Sequence, residues 1–455
     1  MLAMRSVGGT TETEHVDRVS IAKTNQLRRR RRTGARSIAL LLLGSCAAAG
    51  AATSAAEAST WTASTAQSFR TLAGESIESV SCASPTTCVA VGSYRKSSTT
   101  RAPLLLMERA RRWVVVHPPL PAGDPPGLVA TLTSVSCAVS GSCTVAGYLG
   151  QPPAVGPNGT SIDNEGLVLE EDGDEWTAVN TPSPAVDPSA SVELLGVTCT
   201  GPESCVAVGD FISGANPSVT GVRGRTGLIV TEASGAWTSL VAPLPPGSAT
   251  VAASSGAELS AVSCATPVMC TAVGTYLASE TDQAGSILVS GPSGWTAASA
   301  PVPLGGDSVD SLNSLSCTGP QTCTAVGSFD ADGGPESLIL TESSGRWSAM
   351  SGPHASLANG IYGIACVKAD VCTAVGIELN GRYAQLGVVL RESSGRWRES
   401  PAPSPPGASS SVDSGFGTTL SSVSCPTSRN CVAVGTHAES ASRQWGVLLV
   451  EAPTS

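Results

Sequence analysis

The chain has 455 residues, of which 41% are hydrophobic, 14% charged and 4% aromatic. That allows two or three ordinary domains or one large repeat domain, and a hydrophobic share of this size excludes wholesale disorder. Charged residues fall well below the roughly 25% of a typical globular protein, and with only three lysines (Lys23, Lys96 and Lys368) long surface helices are not expected.

The charge is unevenly placed. Residues 1–36 hold nine Lys/Arg, including the run Arg28 to Arg32, against three acids, whereas the rest holds 17 bases and 33 acids. So acidic a body is expected to repel nucleic acid and anionic membrane surfaces. The basic stretch leads into a short apolar run, Ile38 to Leu43, and then into small residues, the order of a secretory signal. The apolar run is too short to cross a membrane comfortably. Two cleavage readings compete. Ser54-Ala55-Ala56 suits ordinary signal peptidase, while Leu43-Gly44-Ser45-Cys46 resembles a bacterial lipobox in which Cys46 is lipidated. Residues 1–56 are therefore assigned to a leader and short linker, and residues 57–455 to the folded domain.

The folded part is a repeat. Fourteen of the fifteen cysteines form seven pairs with five residues between: Cys82/Cys88, Cys137/Cys143, Cys199/Cys205, Cys264/Cys270, Cys317/Cys323, Cys366/Cys372 and Cys425/Cys431. Segments such as SVSC precede the first cysteine, and CVAVG or CTAVG begins at the second. An apolar run then ends in a turn and a tryptophan, as in LILTESSGRW. Short strands rich in Val, Ile and Thr between Gly, Pro and Ser turns predict antiparallel meanders. Each unit reads as four strands, the pattern of a β-propeller blade. Units are expected near 75–121, 130–184, 192–246, 257–304, 310–354, 359–405 and 418–455. The last lacks its tryptophan strand, and Glu57-Ala58-Ser59-Thr60-Trp61-Thr62 resembles the missing piece. The expected fold is all-β: a seven-bladed β-propeller with an N-terminal strand, within 57–66, completing the last blade.

Small residues at Ser79, Ser134, Gly196, Ala261, Ser314, Gly363 and Ser422 fit a first strand crowded at the axis. Gly92, Gly147, Gly209, Gly274, Gly327, Gly376 and Gly435 in the second strand are read the same way. Constant cysteine spacing in an exported chain predicts disulfides across the first two strands, each adding about 2–3 kcal/mol. Seven dithiols spread around a ring do not converge on a metal.

The first–second and third–fourth turns are short and regular, so the opposite rim, with irregular segments such as Ala122–Ala130, Gln151–Glu165 and Ile212–Arg225, is the expected binding face. His117 and His354 read as solvated and His437 as a packing residue. Asp330-Ala331-Asp332-Gly333-Gly334 and Glu170 to Glu175 read as acidic turns. Asn380-Gly381-Arg382-Tyr383 places Arg382 and Tyr383 together, a pair able to stack on a sugar or anchor a protein.

The TESSGRW, TEASGAW and RESSGRW hairpins resemble the Asp-box hairpins of bacterial neuraminidase repeats. From about residue 57 the chain resembles the cysteine-paired secreted propeller repeats of high-GC bacteria. The resemblance implies a fold. The arginine trio, tyrosine–glutamate pair and acid–base aspartate of sialidases do not map onto this sequence. No catalytic residue, cofactor or metal ligand is therefore assigned. The expected function is a monomeric, non-catalytic binding scaffold at the cell envelope for a protein or glycan. It would be secreted or lipid-anchored outside the cytoplasmic membrane, touching membrane only through Cys46. A sialidase-like or other glycan-active enzyme is the alternative.

Overall fold

The computed structural model describes residues 60–452, apart from 65–72, 98–99, 110, 122–128, 151–153, 157–158, 162–163, 174, 214–223, 250–255, 281, 333, 354–359, 410–414 and 441. The leader, Cys46 and His354 lie outside the described residues, as does most of the Ala122–Ala130 segment. Among the described residues the regular secondary-structure elements are β-strands. Units 1 to 5 each fold as one four-stranded antiparallel sheet. Unit 3 is typical, with strands Ser191–Gly201, Ser204–Ile212, Arg225–Ala233 and Ala236–Val241. Units 6 and 7 share an eight-stranded sheet, joined by the single parallel pair Gln385–Gly417. A two-stranded hairpin, Ala154–Gly156 with Gly159–Ser161, stands apart within unit 2.

The second and third strands carry near-continuous apolar runs because both of their faces are buried. In unit 1, Cys88 and Ala90 pack with Val432, Val434 and Leu448 of unit 7. Val89 and Val91, pointing the other way, pack with Leu132 and Val145 of unit 2. The hydrophobic core therefore lies between units.

Each first strand carries a register shift four places before its first cysteine, leaving one extra residue: Glu78, Thr133, Leu195, Ser260, Asn313, Tyr362 or Ser421. Such a bulge bends the strand and re-aims a side chain. It also accounts for the second-strand glycines. A Cβ on Gly274 would lie 2.0 Å from the Glu258 carbonyl oxygen. The crowding expected at the axis is thus, for these glycines, a clash inside their own unit. Gly196 and Gly363 do meet the next unit: a Cβ there would come within 3.0 Å of the Ala261 Cα and 2.8 Å of the Ser422 Cα, respectively.

The small residues of the SVSC segments do more than save space. Ser79 and Ser81 accept hydrogen bonds from the backbone N–H groups of Val135 and Cys137 at 3.2 and 3.0 Å. Ser134 and Ser136 accept from Val197 and Cys199 at 3.1 and 2.9 Å. Ser263 and Ser316 each accept from the first cysteine of the next unit at 3.0 Å. Ser422 and Ser424 of unit 7 accept from Val80 and Cys82 of unit 1 at 3.3 and 3.0 Å. Bulge residues donate in the same sense: Thr133 to the Leu194 carbonyl at 2.7 Å, Asn313 to that of Ile361 at 2.9 Å, and Ser421 to that of Ile77 at 3.2 Å. Backbone groups that one sheet leaves unpaired are thereby satisfied by its neighbour.

All seven cysteine pairs are disulfides, with Cα atoms 3.9–4.1 Å apart. This is closer than the roughly 4.4–6.8 Å usual for the bond. Six of the pairs sit directly opposite each other in the ladder. These bonds suggest an oxidising, extracellular environment. No helix among the described residues is long and apolar enough to cross a membrane.

Thr60–Ser64 pairs antiparallel with Arg443–Ala452, setting Trp61 opposite Glu451. The same Trp–Glu pairing recurs in units 1, 2, 3, 5 and 6, as at Glu232–Trp237 and Glu342–Trp347. Unit 6 adds a clasp. Arg391 lies 5.6 Å from the Trp61 ring centroid and forms a 2.6 Å ion pair with Glu451, whose side chain is 1% exposed.

The bulge account predicts that Gly274→Ala lowers unfolding stability by about 3 kcal/mol in urea titrations, through overpacking against a backbone that cannot yield. Gly319→Ala, where an added Cβ meets nothing within 4 Å, should stay within about 0.5 kcal/mol of the parent. Equal effects at both positions would contradict it.

Candidate functional site

The first strands place their bulges around one central cavity of about 190 Å³, to which all seven units contribute. It lies among the first strands, where Glu78, Thr133, Leu195, Ser260, Asn313, Tyr362 and Ser421 line it. At the end of these strands remote from the disulfides, a polar network runs from unit 1 to unit 4.

Its centre is Arg225, at the start of the third strand of unit 3. One guanidinium nitrogen lies 2.7 Å from Glu193 and 2.7 Å from Asp210, and Nε lies 3.6 Å from Glu258 of unit 4. Asn164 of unit 2 donates to the other Glu193 oxygen at 2.6 Å. The ladder explains the convergence. Glu193 is opposite Asp210, and Ile212 opposite Arg225, so these three charged residues of unit 3 sit at one end of its sheet. Asp210 is 1% exposed. Burial pushes its carboxyl up to about 8, against the pull of Arg225 and helped by Glu258 and Glu193. The Glu258 carboxyl is raised for the same first reason.

The network continues through Tyr148, the residue of unit 2 that follows the second-strand glycine. Burial raises its phenol, which also feels the Glu193 and Glu78 carboxylates and the Arg225 cation. Arg101 of unit 1 donates to Ser93 at 2.8 Å and to the Gly74 carbonyl at 3.3 Å. Burial lowers its pKa, and Glu78 partly restores it. Further around the same rim, burial and then Asp330 push the Asp310 carboxyl up to about 6. Glu75, fully buried beneath unit 7, accepts from the Gly446 N–H at 3.2 Å. Burial pushes it up to about 7, with that hydrogen bond pulling the other way. The described rim is acidic, and its central cation is flanked by the carboxyl groups of Glu193, Asp210 and Glu258.

Sequence reading located this rim and missed the network within it. The residues after the second-strand glycines are Ser93, Tyr148, Asp210, Thr275, Ser328, Ile377 and Thr436. Tyr148 and Asp210 break that small or apolar series in successive units, and this was the available signal. The pair singled out at the Asn380 turn is arranged differently. Asn380 Oδ1 accepts from the Arg382 and Ala384 N–H groups at 2.8 and 3.1 Å. Arg382 lines a cavity of about 280 Å³ that also reaches His437, whereas Tyr383 is not in its lining and stands 58% exposed.

The two cysteines of a pair differ in burial. The first cysteines (Cys82, Cys137, Cys199, Cys264, Cys317, Cys366 and Cys425) are half-buried. The second ones are core residues: Cys88 and Cys431 are 1% exposed, Cys205, Cys270 and Cys372 3%, and Cys143 and Cys323 4%. The reason is their place on the second strand, which neighbouring units cover on both faces. Cys270, Cys372 and Cys431 pack into the clusters between units, beside Val262, Ile364 and Val423. Hydroxyls of the preceding unit, Thr144, Thr271 and Thr373, lie 3.4, 3.7 and 3.8 Å from the Cys205, Cys323 and Cys431 sulfurs. These cysteines are therefore structural staples of the core.

His437 is a packing residue. It is 4% exposed, with Nδ1 2.8 Å from the Thr418 hydroxyl and its ring 4.8 Å from Trp445, and burial lowers its pKa. His117 is exposed. In the Asp330–Gly334 segment Ala331 pairs with Gly334. In the acidic Glu170–Glu175 segment Asp172 and Glu175 are exposed, whereas Glu171 is 6% exposed and Glu170 accepts from the Trp237 indole of unit 3 at 2.8 Å. Among the described residues, no group of three or more His, Cys, Asp or Glu side chains is placed to hold a metal.

No family model matches the sequence, and no curated protein matches it. Several solved structures are similar in shape. A protein of unknown function from Dyadobacter fermentans is 11% identical, covering 72% of this chain and 100% of its own, with a TM-score of 0.47. A neuraminidase-like protein from a flat-faced bat isolate is 10% identical, covering 74% of this chain and 94% of its own, with a TM-score of 0.41. An α-L-arabinanase of Penicillium chrysogenum, complexed with arabinobiose, is 10% identical, covering 86% of this chain and 98% of its own, with a TM-score of 0.41.

Asp210, Glu75 and Asp310 hold their protons more tightly when folded than when unfolded. Their contribution to stability is therefore full below the unfolded values and is lost as pH rises toward about 8. The melting temperature should rise by a few degrees between pH 8 and pH 5.5 in calorimetry. Asp210→Asn should flatten that dependence, and an unchanged profile would show that Asp210 is ionised throughout.

Proposed function

We propose that the chain is an exported, closed seven-bladed β-propeller that acts as a non-catalytic binding scaffold at the cell envelope. Its ligand, a protein or a glycan, is held on the rim over the central cavity. The closed ring draws support from seven like units, from Thr60–Ser64 serving as fourth strand of the last, and from the serine bonds that run from unit 7 back to unit 1. Export draws on the basic and apolar leader and on the seven disulfides. Ordinary secretion and lipidation at Cys46 remain the two routes.

The observation that carries the binding reading is the network from Glu78 through Tyr148 to Arg225, built by four successive units at the mouth. Rigid strands hold it in place, which favours recognition. With Arg225 engaged by the carboxyl groups of Glu193, Asp210 and Glu258, the mouth offers acceptors, suited to hydroxyl groups or to a basic segment of a protein. The enzyme alternative draws on a different aspect of the same residues: a tyrosine that feels two glutamates and an arginine.

Tyr148→Phe and Glu258→Gln remove a donor and an acceptor with little change in volume. In sedimentation assays with isolated envelopes and on glycan arrays, each should weaken binding about tenfold without moving the melting temperature. Turnover of fluorogenic glycosides that disappears in Tyr148→Phe would replace the scaffold with a glycan-active enzyme.

A further inference from the structure

The turn between the third and fourth strands is nearly uniform in units 3, 5 and 6, as Glu-Ala-Ser-Gly-Ala-Trp or Glu-Ser-Ser-Gly-Arg-Trp. Two adjacent units depart from it in opposite senses. Unit 1 has Glu108-Arg109-Ala110-Arg111-Arg112-Trp113, and unit 2 has the acidic turn from Glu170 to Glu175. Between these departures, on the face that carries the disulfides, lies a cavity of about 700 Å³. Arg109, Arg111, Glu108 and Glu171 supply its charged lining, and Val89 and Met107 supply apolar surface.

Arg111 is the unusual residue. Its φ of 63° is left-handed, and the same turn position holds Gly235, Gly345 and Gly395 at 75°, 75° and 72° in units 3, 5 and 6. A long side chain is disfavoured there, and such outliers gather at functional sites. Glu108 adds a second sign. Its Oε2 is buried with no hydrogen-bond partner in the protein, and burial raises its pKa against the pull of Arg111. A buried acceptor of this kind gains from a ligand that donates to it.

We propose that this cavity binds a neutral saccharide of one to three rings. Two guanidiniums and two carboxylates leave the lining without net charge, so it does not select a charged ligand. A hydroxyl is the group that donates to a carboxylate and accepts from a guanidinium at once. Val89 and Met107 suit the C–H faces of a sugar ring, and the volume falls in the range of about 300–1,000 Å³ of small-molecule sites. The site stands on the opposite face from the central mouth and is independent of the binding proposed there.

Saturation-transfer NMR tests it, using the full-length protein made in an oxidising host. The probes are methyl glycosides of neutral hexoses and deoxyhexoses and their di- and trisaccharides. At least one should bind. Arg111→Gly supplies the residue that units 3, 5 and 6 already use, so the variant should melt no lower than the parent while binding about tenfold or more weakly. Glu171→Gln should weaken the same ligand, and Tyr148→Phe on the far face should leave it unchanged. Absence of any bound glycoside would overturn the proposal, as would binding that survives both Arg111→Gly and Glu171→Gln, or that only Tyr148→Phe removes.

Discussion

The structure depends on one strand pairing that joins the two ends of the folded chain. Thr60–Ser64 covers the outer edge of Arg443–Ala452. Without it the last unit would keep three strands and present a row of unpaired backbone groups, the template on which sheets aggregate. The pairing is held by more than its ladder. Arg391, from the preceding unit, reaches both the Trp61 ring and the buried Glu451 carboxylate. A buried carboxylate without its cation is costly, so the strand, the tryptophan and the ion pair stand or fall together.

A second constraint links the fold to the rim. Successive first strands approach too closely for large side chains, yet their backbone groups need partners. Serine at the SVSC positions meets both demands, being small and an acceptor. Where serine gives way to glycine or alanine, as at Gly196, Ala261 and Gly363, close approach replaces the bond. The bulge beside these positions turns one variable residue per unit into the central cavity. The device that lets the units pack is thus also the one that presents diverse side chains at the mouth.

Much of this was legible in the sequence. Cysteine spacing pointed to the disulfides, and the orphan tryptophan segment near residue 61 pointed to its partner at residue 451. Spacing alone did not separate the half-buried first cysteine of a pair from the second, which the neighbouring unit covers. The bulges were hidden because a single extra residue leaves no gap in a run such as Ser-Leu-Asn-Ser-Leu-Ser-Cys. The second-strand glycines were therefore noticed but given the wrong neighbour. The Arg225 network was hidden for another reason. Its members come from different units, as in the pairs Asn164–Glu193 and Arg225–Glu258, and meet only once the ladders are in register. Glu171 looked solvated because an acidic turn usually is. It stands on the face of the third strand opposite to Glu170, where it lines a cavity shared with Met107 and Arg109 of unit 1.

The two faces divide the labour. Disulfides and short turns brace one, while the irregular rim carries the acidic network around the central cavity. Both faces rest on the terminal strand pairing, which a single melting experiment examines directly. Deleting residues 57–66 should lower the melting temperature sharply or leave an aggregating product, and the peptide 57–66 added in trans should restore much of the loss. A truncated protein that melts cooperatively at the parent temperature would contradict the account.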